Sequence, residues 1–485
     1  MTEQTERKLT TCEMVMTHHE MALGHMDWSF KVRAGSLVLQ NEKEEPTAEL
    51  FSIGYFLEEP EENPKRPITF AFNGGPGASS IWVHLGAMGP WRVSFGETIK
   101  QPAPPYRFEE NPASWLSFTD LVFVDAPGTG FSRALGDTEL KSHWGVWEDA
   151  KVFGEFARLY CSTFDRWLSP KYLAGESYGG MRSVALCKEL QEVHGMELSG
   201  LLLISPVVDY QTMANCPGNH IAAACFLPSY AATAHHHRCL APRLQDKPLE
   251  TILKETEDFA LNEYLPALAQ GTAIDNDRRA ACIDKLSTLT GLSKEYLQGS
   301  HMSVDCARFR KELLRQKGLT VGRFDSRLTG NDYDGNSERP DYDPADCLTV
   351  GPYVAPFHDL LSKKLGVKEK RTYNVQNSAA WKEWQWRKKG ERNYGFVNLT
   401  PDLRSQMVTN ERLRVLFVSG LYDIATPYFA ARYTMNSLRL DGEARKRVKQ
   451  LVFPGGHMMY TDEKNHKKLS ANIRQFYEGK DCQWL

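Results

Sequence analysis

The stretch that most limits the fold reads Lys171-Tyr172-Leu173-Ala174-Gly175-Glu176-Ser177-Tyr178-Gly179-Gly180. Its apolar start is a short strand, and the spacing predicts a helix from about Met181 to His194, so a single sharp turn must join the two. Such a connection needs little bulk at the bend. Gly175 and Gly179 let strand and helix approach closely and allow the strained backbone that points the Ser177 side chain out of the turn. Gly-x-Ser-x-Gly in this setting is the nucleophile-elbow pattern. Three fixed residues recur by chance, so its weight depends on what lies upstream and downstream.

Four short runs around it are almost wholly apolar: Ile68–Phe72, Leu121–Val124, Leu201–Ile204 and Val415–Val418. Strands buried on both faces read this way, and their alternation with helical patterns, such as residues 142–167, argues for a mostly parallel sheet. Residues 13–58 alternate polar and apolar and read as an antiparallel meander. From 211 to 350 the strand texture gives way to Ala-rich and charged helical segments, read as a helical insertion that forms a lid. The expected organisation is a disordered leader over 1–12, a core over 13–210, the insertion over 211–350 and a second part of the core over 351–485, ending in an amphipathic helix over about 463–478.

Sites in parallel α/β sheets form beyond the carboxyl ends of strands. Ser177 lies at such an end, Asp423 follows the strand at 414–418, and His457 follows the strand at 449–453 on the loop Pro454-Gly455-Gly456-His457. A serine hydroxyl needs a base to take its proton, histidine titrates near working pH, and an acid fixes the histidine tautomer and stabilises the imidazolium. Ser, acid, His is also the chain order of α/β-hydrolases. Asp209, past the strand at 201–204, is a rival for the acid. The loop Asn73-Gly74-Gly75-Pro76-Gly77 exposes backbone N–H groups that can hold a developing oxyanion. With the N–H of Tyr178, the Gly74-Gly75 segment would complete an oxyanion hole, each donor contributing roughly 2.7–4 kcal/mol in the transition state.

A net charge of −3 gives no reason to invoke nucleic acid or an anionic membrane as partner, and no apolar run is long enough to cross a bilayer. The polar start, Met1-Thr2-Glu3-Gln4, lacks an apolar signal region and reads as a cytoplasmic protein. His235-His236-His237 near Cys216 and Cys225 lacks usual ligand spacing, so no metal and no cofactor are expected. Trp381, Trp384 and Trp386 read as anchors of a surface segment, with an aromatic peptide-binding wall as the alternative.

Taken together, Asn73-Gly74-Gly75-Pro76-Gly77-x-Ser79-Ser80, Gly175-Glu176-Ser177-Tyr178-Gly179-Gly180, Asp423, Gly455-Gly456-His457-Met458, Asn111-Pro112-x-Ser114-Trp115 and Pro127-Gly128-Thr129-Gly130-Phe131-Ser132 resemble the serine carboxypeptidases, peptidase family S10, of the α/β-hydrolase fold. The resemblance implies Ser177, Asp423 and His457 as the catalytic triad, the N–H groups of Gly75 and Tyr178 as the oxyanion hole, and Asn73 with Glu176 as readers of a peptide's terminal carboxylate. A protonated glutamic acid can donate to a carboxylate. Three departures stand out. Ala78 occupies a position that is usually Cys in secreted members, Ala87 stands where a second Glu is usual, and the loop after Asp125 is a residue shorter. These features look more like a prokaryotic branch. The expected function is a serine-type carboxypeptidase acting on peptides. The alternatives are an acyltransferase or esterase with the same triad, and a catalytically silent peptide-binding protein.

Overall fold

The computed structural model describes residues 12–23, 26–58, 66–96, 102–388, 390 and 395–480. Nine strands form the main path of one sheet: β1 Cys12–Leu23, β2 Met26–Gln40, β3 Pro46–Leu57, β4 Ile68–Phe72, β5 Asp120–Val124, β6 Lys171–Glu176, β7 Gly200–Ile204, β8 Arg414–Gly420 and β9 Val448–Phe453. Their order is β1-β2-β3-β5-β4-β6-β7-β8-β9. The first three form an antiparallel meander joined antiparallel to β5, and from β5 to β9 all pairings are parallel. This is the α/β-hydrolase fold. The expected leader over 1–12 lies outside the described residues except for Cys12, which opens β1.

The meander shows how burial pattern follows position. In β2, Trp28, Phe30, Val32 and Ala34 are buried while their neighbours are half-exposed or exposed, as one covered face requires. At Leu37-Val38-Leu39 all three are buried, because both faces are covered there. The apolar run is therefore the end of the same strand.

The parallel strands are packed on both faces. Phe70, Phe72, Val122, Leu173, Leu201, Leu203, Val415 and Phe417 point to one side, against α1 (Val146–Thr163), α2 (Tyr178–Glu192) and an α-helix at Thr400–Thr409. Ala71, Phe123, Ala174, Leu202, Ile204, Leu416 and Val418 point to the other. That face is covered by the C-terminal helix Glu463–Tyr477 and by Tyr353 and Phe357 of the helix Pro344–Asp359. Alternation within each strand supplies both layers.

Between β7 and β8 lie α3 (His220–His236), further helices that include Leu249–Phe259 and Asn276–Thr290, and a ribbon pairing Leu319–Val321 with Thr329–Asn331. These helices have their own core. Phe226, Tyr230, Ile252, Phe259, Ile283, Leu286 and Phe309 pack there with Ile424, Tyr428 and Phe429, which follow β8. The insertion is thereby seated on the loop that carries Asp423.

One buried ion pair ties the sheet's helices to the site. Arg182 of α2 donates from Nε to Asp149 Oδ2 of α1 at 2.6 Å and from Nη1 to the Asn73 carbonyl at 2.5 Å. Both side chains are wholly buried, and the guanidinium lies over the rings of Phe72, Phe153 and Tyr178. Burial pushes the Asp149 carboxyl upward against the pull of Arg182. Removing one partner leaves an uncompensated buried charge. Arg182→Met is expected to cost about 3–5 kcal/mol in chemical denaturation, and Arg182→Met combined with Asp149→Leu should recover much of that loss.

Candidate active site

Four loops meet at the carboxyl edge of the parallel strands. The Asn73 loop leaves β4, Ser177 ends β6, Asp423 follows β8 and His457 follows β9. Ser177 is the sole residue between β6 and α2, with φ 63° and ψ −122°. The helix starts at Tyr178, three residues before the sequence pattern indicated, because Gly179 and Gly180 can enter it beside neighbouring backbone. A side chain in this conformation costs of order 1–3 kcal/mol. Backbone bonds hold it there: the Ser177 N–H donates to the Ile204 carbonyl at 2.9 Å, and its carbonyl accepts from Gly180 at 2.9 Å and Val207 at 3.2 Å.

The Asn73-Gly74-Gly75 loop lies directly against this turn. A Cβ at Gly74 would collide with the backbone nitrogens of Tyr178 and Gly179, so glycine is required by close approach. Gly75 has φ 104°, which glycine adopts without the steric penalty other residues meet. Tyr178 is the first residue of α2, whose N–H has no partner within the helix. Gly75 and Ser177 line a common cavity.

Asp423 and His457 are joined. His457 Nδ1 and Asp423 Oδ2 are 2.7 Å apart, and both residues are buried. Asp423 Oδ1 accepts from the N–H groups of Ala425 at 2.7 Å and Thr426 at 2.9 Å. The Thr426 hydroxyl lies 2.7 Å from Asp423 Oδ2, 3.1 Å from His457 Nδ1 and 2.8 Å from the Ser205 carbonyl. Ser205 Oγ donates to the His457 carbonyl at 2.8 Å, and the His457 N–H donates to the Phe324 carbonyl at 2.5 Å. Burial works against protonating His457, but the charge and hydrogen bond of Asp423 outweigh it and raise the imidazole above its ordinary value. Ser205 and Phe324 carried no signal in the sequence, since each acts through a contact between distant segments, and Thr426 joins a local bond to Asp423 with distant ones to Ser205 and His457.

The third group is Glu176, buried immediately before Ser177. Its Oε1 accepts from Asn73 Nδ2 at 2.7 Å and its Oε2 from the Tyr460 hydroxyl at 2.6 Å. Burial raises its carboxyl to about 7, while His457, Tyr460 and Asn73 oppose the rise. Asn73, Gly75, Glu176, Ser177 and His457 all line one cavity of about 590 Å³. Its far wall comes from the insertion, including Arg323, Phe324, Asp343 and Asp346, and Trp381 stands at its rim.

Other residues singled out in the sequence fall elsewhere. Asp209, the rival acid, caps a short turn by accepting from the Gln211 N–H at 3.0 Å. Trp384 is buried against Tyr178, with ring centroids 5.1 Å apart, and Trp386 packs on Tyr178 and Tyr210. The tryptophan segment is therefore divided between core and cavity. His237 bonds the Ser326 carbonyl at 2.7 Å, and among the described residues no group of three His, Cys, Asp or Glu side chains is placed to hold a metal ion. Among the described residues, no helix is long and apolar enough to cross a membrane.

The sequence profile of the serine carboxypeptidases matches residues 25–473, so the chain belongs to that family. It is 38% identical over 142 residues to a pheromone-processing carboxypeptidase KEX1 of Ogataea parapolymorpha, covering 28% of this chain and 21% of that protein. It is 34% identical over 162 residues to a carboxypeptidase Y homolog of Arthroderma benhamiae, covering 32% and 30%. The aligned stretches thus span less than a third of these curated relatives. The crystal structure of a prohormone-processing carboxypeptidase, Kex1(delta)p of Saccharomyces cerevisiae, superposes with a TM-score of 0.57 at 15% identity, covering 93% of this chain and 91% of that one. The expectation of a cytoplasmic protein is corrected by these relatives: such carboxypeptidases are secretory or vacuolar, which does not fit that location. The polar start, Met1-Thr2-Glu3-Gln4, carried that expectation and does not by itself decide the compartment.

Asp423→Asn removes the charge that raises His457. The imidazole titration midpoint, followed by NMR of His457, should fall, and an unchanged midpoint would show that Asp423 does not control it.

Proposed function

We propose that this chain is a serine-type carboxypeptidase that removes C-terminal residues from peptides, with Ser177, His457 and Asp423 as its triad. The observation that carries the reading is one cavity lined by Ser177, His457 and the buried acid Glu176 with its Asn73 partner. Family membership supports it. Ser177 Oγ attacks the scissile carbonyl carbon while His457 Nε2 takes the hydroxyl proton, and Asp423 stabilises the imidazolium. The oxyanion is held by the N–H groups of Gly75 and Tyr178. Collapse breaks the C–N bond, His457 passes its proton to the leaving amine, and an acyl-enzyme remains. A water molecule, deprotonated by His457, then attacks the acyl carbon and restores Ser177. The insertion acts as a lid that walls the cavity.

Glu176 and Asn73 supply exopeptidase specificity. A carboxyl held near pH 7 keeps its proton below that value and donates it to the carboxylate at the substrate's end. Above it, two carboxylates would face each other and binding is lost. The chain also has to keep His457 unprotonated to act as base. The kcat/KM for a peptide with a free C-terminus should therefore be bell-shaped, with an acid limb from His457 and an alkaline limb near pH 7 from Glu176, as macroscopic values of two groups that feel each other. Glu176→Gln should remove the alkaline limb.

The deciding comparison uses a blocked peptide ending in a free carboxylate and the same peptide ending in an amide, followed by mass spectrometry. Single-residue release from the free acid, lost by at least 10³-fold in Ser177→Ala, is the expected result. If neither peptide is cut while Ser177 reacts with a fluorophosphonate, ester or acyl-transfer chemistry replaces this reading. Absence of labelling would make the chain a silent binding protein.

A further inference from the structure

Glu176 is a buried acid with no lysine or arginine paired to it among the described residues. Its two oxygens instead take one neutral partner each. Asn73 has its amide orientation fixed, because Oδ1 accepts from the Val83 N–H at 3.0 Å. That leaves Nδ2 as the group facing Glu176 Oε1. On the other side stands Tyr460, in the turn Met459–Thr461 just after His457. Its ring is buried, and its hydroxyl donates to Glu176 Oε2. Burial raises the Tyr460 hydroxyl well above its ordinary value, so it keeps its proton. A buried hydroxyl left without an acceptor is costly, so its proton is committed to Glu176.

The space that Tyr460 occupies exists because its neighbours are small. The turn Val83–Met88 runs beside it, and a Cβ at Gly86 would collide with the Tyr460 ring and come close to the Tyr353 hydroxyl. The next residue is Ala87, with no carboxyl to offer, and its carbonyl accepts from His466 Nε2 at 3.1 Å. Gly86 and the Tyr460 ring thus fill one volume together.

We propose that Tyr460 is a positioning residue for Glu176. Its hydroxyl, together with the Asn73 amide, leaves the acid proton of Glu176 facing the cavity, where it meets the terminal carboxylate of a peptide. This rests on the carboxypeptidase reading above. The groups that face Glu176 are His457 and Asp423 from the loops after β9 and β8, Asn73 from the loop after β4, Tyr460, and Tyr353 from the helix Pro344–Asp359. A hydroxyl that donates to a carboxylate favours its ionised form. Removing Tyr460's hydroxyl therefore raises the pH at which Glu176 loses its proton, and also loosens its orientation.

The test compares wild type, Tyr460→Phe and Tyr353→Phe in the full chain. Tyr353 has a buried hydroxyl with no hydrogen-bond partner among the described residues, so it is the control. Infrared difference spectra, with Glu176→Gln as blank, follow the protonated carboxyl against pH. Kinetics compare the free-acid and amide peptides at pH 6. In Tyr460→Phe the infrared midpoint should move to higher pH. The preference for the free acid should fall roughly tenfold, carried by KM. Tyr353→Phe should change neither. An unmoved midpoint overturns the proposal, whether the preference is kept or both peptides slow alike, as a merely structural role would give. If wild type shows no preference but the midpoint still moves, Tyr460's hold on Glu176 stands and the carboxypeptidase reading falls.

Discussion

The structure depends on a one-residue connection between β6 and α2. Ser177 has to turn the chain from strand to helix by itself, and its positive φ is tolerated because three segments hold it from outside. The end of β7 bonds its N–H and the loop after β7 its carbonyl, the Asn73 loop presses against the nitrogens of Tyr178 and Gly179, and Arg182 on α2 ties Asn73 and Asp149 into the same block. The strain at Ser177 is stable because the sheet order puts β6 in the middle, between β4 and β7. A serine at the sheet edge would lack the support of one of these two neighbours.

Around this turn the protein buries three titratable groups close together and gives each a different environment. Asp423 accepts from two backbone N–H groups and a hydroxyl. His457 takes its bias from Asp423. Glu176 is hydrogen-bonded by neutral donors, so burial dominates over the opposing charge of His457 and its proton stays on to higher pH. Two carboxyls within one site thereby have different surroundings, a division that suits acid and base work in one cavity.

Much of this was legible in the sequence because the signals are local. The buried strands announce themselves as short apolar runs, the elbow by its glycines, and Asn73, Asp423 and His457 by their places just past strand ends. The choice between Asp209 and Asp423 was less local, since both follow strands. Pairing separates them: β8 lies beside β9, with Gly420 opposite Phe453, so the loop bearing Asp423 meets the one bearing His457, whereas Asp209 caps its own turn. The tryptophan segment could not be divided from sequence, because neighbouring residues with the same composition point into core and cavity.

The sequence by itself determined the parallel core, the reactive residue types and their order, since these follow from periodicity and from the chemistry of side chains at strand ends. Only the tertiary structure decided how those residues are tuned. Thr426 braces the Asp423–His457 pair, Phe324 from the insertion anchors the His457 backbone, and Tyr460 binds Glu176 across 284 positions of chain. Proton affinity and orientation depend on burial and on partners brought together from distant segments, and no local pattern of residues records which of them will meet.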